Sequence, residues 1–482
     1  VLGRLRAGGL AVLAGALAAC AEAPRAGPNV VLVVLDTTRA DALSCYGGPP
    51  GTTPALDALA ERGVRFERAF ATDFWTLPSH ASLLTGLYPR EASATSETNV
   101  LPASVATIAE ELSAAGWSTA GVVSNPWLTA ERGFAQGFDL WLEAWRDDVR
   151  PAPLATEPQI EGEAVRRAGA WVEARSRDAA PFFLFVNLNV AHLPYAPPPR
   201  WRRGRLDETE DVVARLPRLM RVSGMWKHYA GELELDEEDL RILRALYHSE
   251  VAIADDLVRR LLESLAGAGI DDETLVIVTS DHGENIGDHG LIDHVLSMHD
   301  TTLHVPLIVR APRDDGTRPD AGTRWDALSE RADALVSLVD VAGAVRHACG
   351  LAHDATRCLF PHGPPREAVF AENERPLHAV ELLRASYPHV DAGAIDHPQR
   401  VVRTGEDKLV VHEGAGTTWF EVGATAADER ERQAPDGEAR RALGARLAEW
   451  SRSLRPPAPL AEQAPSADDE SLERLRELGY VR

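Results

Sequence analysis

Residues 30–35 read Val-Val-Leu-Val-Val-Leu and stop at Asp36. A strand with one wet face alternates apolar and polar residues. A run that is apolar throughout reads as a strand buried on both faces, as in a parallel sheet covered above and below. Phe182–Asn187 repeats the pattern, and Thr119–Val123, Leu275–Val278 and Val305–Val309 read as further strands. Helical patterns lie between them. Val105–Ala115 has Ser104 as a cap and Gly116 as a stop. In 240–265, Leu243, Leu246, Tyr247, Ile253, Leu257, Leu261 and Leu265 recur at near-helical spacing behind a possible Asp236 cap. Strands alternating with helices predict an α/β fold: a mostly parallel central sheet with helices on both faces. Residues 196–235, rich in Pro, Arg and mixed charge, read as an insertion over one sheet edge. From about residue 395, short strand-like pieces (Arg400–Arg403, Lys408–His412, Trp419–Val422) and charged helical segments suggest a small C-terminal α+β subdomain. The expected organisation is a leader over 1–20, a linker over 21–28, a main domain over 29–394 and a subdomain over 395–482.

The chain has 482 residues, 45% hydrophobic and 26% charged, with a net charge of −23. That composition is globular, and so acidic a chain repels nucleic-acid phosphate rather than neutralising it. Of the 50 basic residues only Lys227 and Lys408 are lysine, which limits where a catalytic lysine could stand. No Gly-x-x-x-x-Gly-Lys loop or Gly-x-Ser-x-Gly elbow is present. Cys349 and Cys358 are near enough in sequence to pair in an oxidising compartment. Cys45 reads as a small buried residue.

The chemistry concentrates at strand ends, where ligands collect in open α/β sheets. Asp36 ends one strand and Asp281 another, with His282 following at once. Asp and His are good ligands for a divalent metal. The third segment is Trp75-Thr76-Leu77-Pro78-Ser79-His80-Ala81-Ser82-Leu83-Leu84-Thr85-Gly86-Leu87-Tyr88-Pro89. Pro78 suits a first helical turn and Gly86 a helix end, which sets Thr76 at a helix N-terminus, where free N–H groups favour an anion. A hydroxyl beside a metal and an anion hole is a plausible nucleophile. A threonine at a helix start is more often only a cap.

Thr76–Pro89, Asp36-Thr37-Thr38-Arg39-Ala40-Asp41 and Ser280-Asp281-His282-Gly283-Glu284-Asn285 resemble the motifs of sulfatase-like hydrolases in the alkaline-phosphatase superfamily. Ala191-His192-Leu193-Pro194-Tyr195, Val305–Val309 and Leu475–Tyr480 add to the resemblance, which covers nearly the whole chain after the leader. It implies a metal-dependent ester hydrolase. Where this chain has Thr76, type I sulfatases carry a Cys or Ser that becomes formylglycine, and they carry an Arg at the place of His80. They also use two lysines near sulfate, whereas here His294 falls near the place of the later one. Thr-x-Pro-x-His is instead similar to relatives with an unmodified Thr, the nucleotide pyrophosphatase/phosphodiesterases and the phosphoethanolamine or glycerophosphate transferases. By that similarity Asp36, Thr76, Asp281 and His282 hold one divalent ion, zinc or manganese before calcium, and no formylglycine forms. For a second ion His192, His294 and His299 are only loose candidates.

The resemblance implies that Thr76 attacks phosphorus, with His192 and His294 binding the anionic oxygens or protonating the leaving group. His80, also a candidate substrate-binding residue, either supports Thr76 from behind or lies on the helix surface. Phosphoester or phosphonate cleavage is favoured over sulfate. A genuine sulfatase, a headgroup transferase and a binding protein of the same fold are the alternatives. Arg39 reads as structural, His289 as a turn residue, and His299 and His304 as packing or capping groups. Arg4 and Arg6, an apolar run over 7–19 and Leu17-Ala18-Ala19-Cys20 resemble a bacterial lipoprotein leader with Cys20 as the lipidated residue; an ordinary signal peptide or plain anchor is the alternative. The implied setting is a bacterial envelope, lipid-anchored and facing the periplasm, with a small anionic ester or an envelope glycan or lipid as substrate. Substrate choice should lie with the 140–165 and 196–235 insertions.

Overall fold

A computed structural model describes residues 27–459, apart from 147–158, 179, 222–225, 295–296, 314–324, 361–363, 424 and 434–436. Cys20 with its leader, and Leu475–Tyr480, lie outside the described residues, as does the centre of the 140–165 segment. No described helix is long and apolar enough to cross a membrane.

The central sheet runs in the order Val64–Arg65, Leu307–Arg310, Thr274–Thr279, Asn29–Leu35, Phe182–Leu188, Ser118–Val123, Leu140–Glu143. From Thr274–Thr279 to Leu140–Glu143 every pairing is parallel. Leu307–Arg310 and Val64–Arg65 complete the other edge in antiparallel fashion. Val30–Leu35 sits in the middle, fully buried, as its two-sided apolar pattern requires. Alternate residues of Phe182–Leu188 point to opposite faces. Trp171 of helix Gln159–Arg175 packs on Phe182, and His80 of helix Thr76–Thr85 packs on Phe185. Three residues apart, these contacts show helices on both faces. Helix Gln159–Arg175 also packs against the long helix Glu237–Gly267, which starts at the expected Asp236 cap.

Two element boundaries need correction. Val305–Val309 is not one strand. His304–Val305 pairs with Arg68–Phe70 in a separate sheet, while Leu307–Arg310 joins the main one. Pro306 lies at the break and has no N–H for a ladder. The predicted helix over 105–115 begins only at Ile108. Thr107 and Glu110 form a reciprocal capping box there, and the Ser104 hydroxyl instead donates to the Pro459 carbonyl at 3.0 Å.

An antiparallel sheet of Val369–Asn373, Gln399–Arg403, Asp407–His412, Gly416–Glu421 and Arg430–Arg432, backed by helix Glu438–Ser453, forms the C-terminal subdomain. A buried charge cluster joins it to the main body. Lys408 Nζ donates to Asp300 Oδ1 and Glu429 Oε1, both at 2.8 Å, and Arg403 Nε donates to Asp300 Oδ2 at 2.9 Å. Lys408 is therefore a structural cation at this junction. Cys45, Cys349 and Cys358 are free thiols, so Cys349 and Cys358 do not pair, and Cys45 is only partly buried.

Candidate active site

The parallel register aligns the carboxyl ends of four strands: Val34 lies opposite both Asn187 and Thr279, and Val123 opposite Asn187. Asp36, Asn125, Asn187 and Asp281 therefore converge just past the sheet edge. Helix Thr76–Thr85, buried along its whole length, delivers Thr76 from one face. Pro78 sits in its first turn, and Gly86, at φ +77°, closes it in the left-handed conformation glycine accepts without strain. Thr76, Asp36, Asp281, His282 and His80 have no solvent exposure; His294 keeps 1% and His192 4%.

Thr76 Oγ1 lies 3.4 Å from His282 Nε2 and 3.4 Å from Asn125 Nδ2. Asn125 Nδ2 also donates to Asp36 Oδ2 at 2.8 Å, and Asn187 Nδ2 donates to the same oxygen at 3.0 Å. Asp281 Oδ2 stands 3.3 Å from His282 Nε2, while its Oδ1 accepts the N–H of His282 at 2.9 Å. His282 Nδ1 is bonded to the Gly283 carbonyl at 3.1 Å. With that nitrogen as donor, Nε2 turns its lone pair toward Thr76 and Asp281. Gly283 cannot carry a side chain: a Cβ there would lie 2.1 Å from the Thr301 carbonyl oxygen.

These groups suit a divalent cation. Asp36 Oδ1 and Asp281 Oδ2 are buried carboxylate oxygens with no hydrogen-bond donor among the described residues, an expensive state unless a cation sits against them. The separations of 3.3 and 3.4 Å from His282 Nε2 match the roughly 3.3–3.4 Å edges of a tetrahedron whose ligands lie about 2.0–2.1 Å from the metal. A ring whose second nitrogen donates to a backbone carbonyl is also the usual form of a metal-bound histidine.

His80 is neither on the surface nor turned to a substrate. Its Nδ1 bonds the Thr76 carbonyl at 2.8 Å and stands 3.3 Å from Asp281 Oδ2, while Nε2 meets Asn187 Nδ2 at 3.3 Å. It buttresses Thr76 and Asp281 from behind. His192 and His294 form the opposite wall: their ring centroids lie 5.0 Å apart, and those of His294 and His282 4.4 Å. His192 Nδ1 bonds the Leu193 carbonyl at 2.6 Å. His294 Nδ1 stands 3.0 Å from Asp293 Oδ1 and 3.5 Å from Glu284 Oε1.

The environments separate these groups electrostatically. Burial lowers the His282 pKa to about 3 and the His192 pKa to about 4, the latter helped by the nearby His294 charge. Burial also opposes a charge on His294, but Asp293 and then Glu284 outweigh it and hold the ring protonated well above its usual range. Burial, and then repulsion from Asp281, lifts Asp36 to about 7. Burial works against the Asp281 anion too, yet His282 and His80 overcome it and hold it at about 2.

Asn125, Asn187, Glu284 and Asp293 were not singled out from sequence. Asn187 carried a readable signal, as a polar residue inside the apolar Phe182–Leu188 strand. Of the remaining histidines, His304 bonds the Glu67 carbonyl and stacks on Phe70. His289 occupies a turn at φ +54°. His299, a loose candidate beside His192 and His294, instead stacks on His289 beside Glu429. Arg39 is structural, paired with Asp41 and Asp288.

A family model described as Sulfatase matches residues 28–351. The ulvan-active sulfatase of Formosa agariphila is 26% identical over 396 residues, 78% of this chain and 71% of that protein. A multifunctional alkaline phosphatase superfamily protein of Trinickia caryophylli is 26% identical over 395 residues, 67% of this chain and 75% of its own. Among solved structures, the phosphonate monoester hydrolase of Agrobacterium radiobacter superposes with a TM-score of 0.66 at 22% identity, covering 88% of this chain and 95% of that one.

Proposed function

The chain belongs to the sulfatase family and is an ester-hydrolysing enzyme, and from that premise we propose that it cleaves phosphorus esters, phosphodiesters or phosphonate monoesters, with the unmodified Thr76 hydroxyl as nucleophile. The observation that carries this reading is the placement of Thr76 Oγ1, buried at a helix N-terminus 3.4 Å from His282 Nε2. A threonine cannot yield the aldehyde that a Cys or Ser gives, and a sulfate ester on threonine lacks the elimination route open to formylglycine. Phosphorus can leave a threonine ester by in-line attack of water.

A divalent ion held by Asp36, Thr76, Asp281 and His282 would supply Lewis-acid polarisation and favour the Thr76 alkoxide. Thr76, its hydroxyl proton released to solvent, forms a bond from Oγ1 to phosphorus as the bond to the leaving oxygen breaks. The protonated His294 gives that oxygen its proton. In the second half, water attacks phosphorus, the bond to Thr76 Oγ1 breaks to regenerate its deprotonated oxygen, and the water proton passes to a histidine, from which it returns to His294. His192 suits that role better than binding an anionic oxygen, because it is neutral and its Nδ1 bonds a carbonyl. One acid and one base are thus set apart by environment, as such pairs of groups commonly are. The residual exposure lies at Asn189 and Asp293, 5% each, and His192, 4%, which supports substrate access from that side.

The test compares rates on aryl sulfate, phosphate monoester, phosphodiester and phosphonate monoester substrates with zinc or manganese, beside chelated enzyme and Thr76→Ala. Phosphorus-ester turnover lost in both controls is the expected result. Dominant sulfate turnover that needs Thr76 would overturn the ranking in favour of the second reading, a genuine sulfatase, which the name of the Formosa relative supports. We propose further that Cys20 is lipidated and anchors the enzyme to a bacterial envelope membrane; a Cys20→Ser chain that remained in the membrane fraction would refute this.

A further inference from the structure

Outside the catalytic cluster, His289, His299 and Glu429 bring three ligand atoms together at the junction with the C-terminal subdomain. His299 Nδ1 lies 3.3 Å and His289 Nε2 3.6 Å from the same oxygen, Glu429 Oε2. The Glu429 carboxylate is fully buried, whereas the His289 and His299 side chains keep 24% and 20% of their exposure. The site is therefore anchored inside and open to solvent on its imidazole side. We propose that these three residues form a second metal site, for a borderline divalent ion such as zinc, separate from the catalytic one.

Three observations support it. The separations are close to the roughly 3.3–3.4 Å edges expected around a tetrahedral metal with ligands at about 2.0–2.1 Å. His299 Nδ1 is buried and finds no hydrogen-bond partner among the described residues, although it faces a carboxylate. His289 holds φ +54°, a left-handed conformation that a side-chain-bearing residue adopts at a cost, between Gly287 and Gly290, which are also left-handed. The remaining polar contacts of Glu429 are already made: Oε2 accepts the Asp300 N–H at 2.7 Å and Oε1 accepts Lys408 Nζ at 2.8 Å. They fix the carboxylate as a preformed ligand.

The two rings stack at 3.6 Å, only 6° from parallel. They must splay to aim both lone pairs at one ion, a rotation that the exposed His289 side chain can make. His289 and His299 stand five residues before and five after His294. An ion here would pin both flanks of the segment carrying that group to Glu429 of the C-terminal subdomain.

Equilibrium dialysis of the full chain against zinc alone tests this. Wild type should bind two equivalents. Asp281→Asn, which disables the catalytic site, should bind one. Adding His299→Ala or His289→Gly to Asp281→Asn should weaken that remaining equivalent about tenfold or more, the lower range for removing even an outer partner of a metal ligand. Glycine suits the backbone at 289, so this variant removes a ligand with little risk to folding. The proposal is overturned if Asp281→Asn binds no zinc, or if neither added substitution changes its binding. One equivalent in wild type and none in Asp281→Asn would refute this site while leaving the catalytic one intact.

Discussion

Lys408→Met should destabilise the protein in a way that depends on pH with a calculable slope. Lys408 is fully buried, and its Nζ contacts Asp300 and Glu429. In the variant Asp300 keeps Arg403, but Glu429 loses its cation and keeps the Asp300 N–H and two imidazoles. Burial by itself raises the Glu429 pKa; Lys408 now overcomes that and lowers it. Without Lys408 the carboxyl escapes by taking up a proton. At pH 7 that costs about 3.7 kcal/mol, taking an ordinary glutamate pKa of about 4.3 and about 1.36 kcal/mol per pH unit. This falls within the roughly 3–5 kcal/mol for breaking a buried pair by removing one partner. In wild type the Glu429 and Asp300 pKa values are depressed, so their contribution is complete above the unfolded values near about 4 and is lost only as the pH falls further. In the variant Glu429 has a raised pKa, so folding takes up a proton and the variant gains stability as the pH falls. The gap should shrink to about 1 kcal/mol at pH 5. Denaturant melts of both proteins at pH 5, 6 and 7 measure it. A gap that is absent, or constant across that range, would refute the reasoning. Turnover measured where both proteins are folded should be largely preserved, since Lys408 sits in the joint and not against Thr76.

Thr76→Ser should retain measurable phosphorus-ester turnover, while Thr76→Ala should lose at least about a thousandfold; equal rates in steady-state assays would exclude Thr76 as the nucleophile. Asp293→Asn removes the main anion that keeps His294 protonated, so the alkaline limb of the kcat/KM profile should move to lower pH; an unmoved limb would show that His294 is not the acid. Because Cys349 and Cys358 are free thiols, a reducing agent should leave the melting temperature unchanged, and a clear drop would reveal a bridge.

The sheet and the chemical groups at its edge were readable for one physical reason. Two-sided burial demands unbroken apolar runs, and a polar residue ending such a run has nowhere to go except the strand-end crevice. Asp36, Asp281 and His282 announced themselves in this way, and Thr76 did so through the Pro78 and Gly86 that bound its helix. Asn125 did not, because asparagine after a strand is usually a turn residue, and Asn187 showed only as a polar break in an apolar strand. Their role emerges only from register, which sets both amides against one carboxylate oxygen of Asp36. The late start of the helix at Ile108 was written in Thr107 and Glu110, a stronger cap than Ser104. The pairing of His299 with His289 was not legible, since it depends on Glu429, a subdomain residue 130 positions away.

On the proposed reading, the buried cluster also explains why this chain can dispense with sulfatase-type lysines. Asp36, Asp281, Glu284 and Asp293 are four buried carboxyls facing few cations, and burial leaves Asp36 and Glu284 at about 7, balanced between charged and neutral. A divalent ion beside Asp36 and Asp281 would draw the first of these fully into its charged form. The substrate side then needs a donor that can release its proton and recover it, which a lysine on an ordinary pKa does poorly. His294 between Asp293 and Glu284 is charged before attack. Transfer of its proton to the leaving oxygen becomes favourable as that oxygen gathers negative charge and grows more basic. The cation that binds the ester and the acid that completes its cleavage can thus be one side chain, tuned by two carboxylates rather than by its own chemistry.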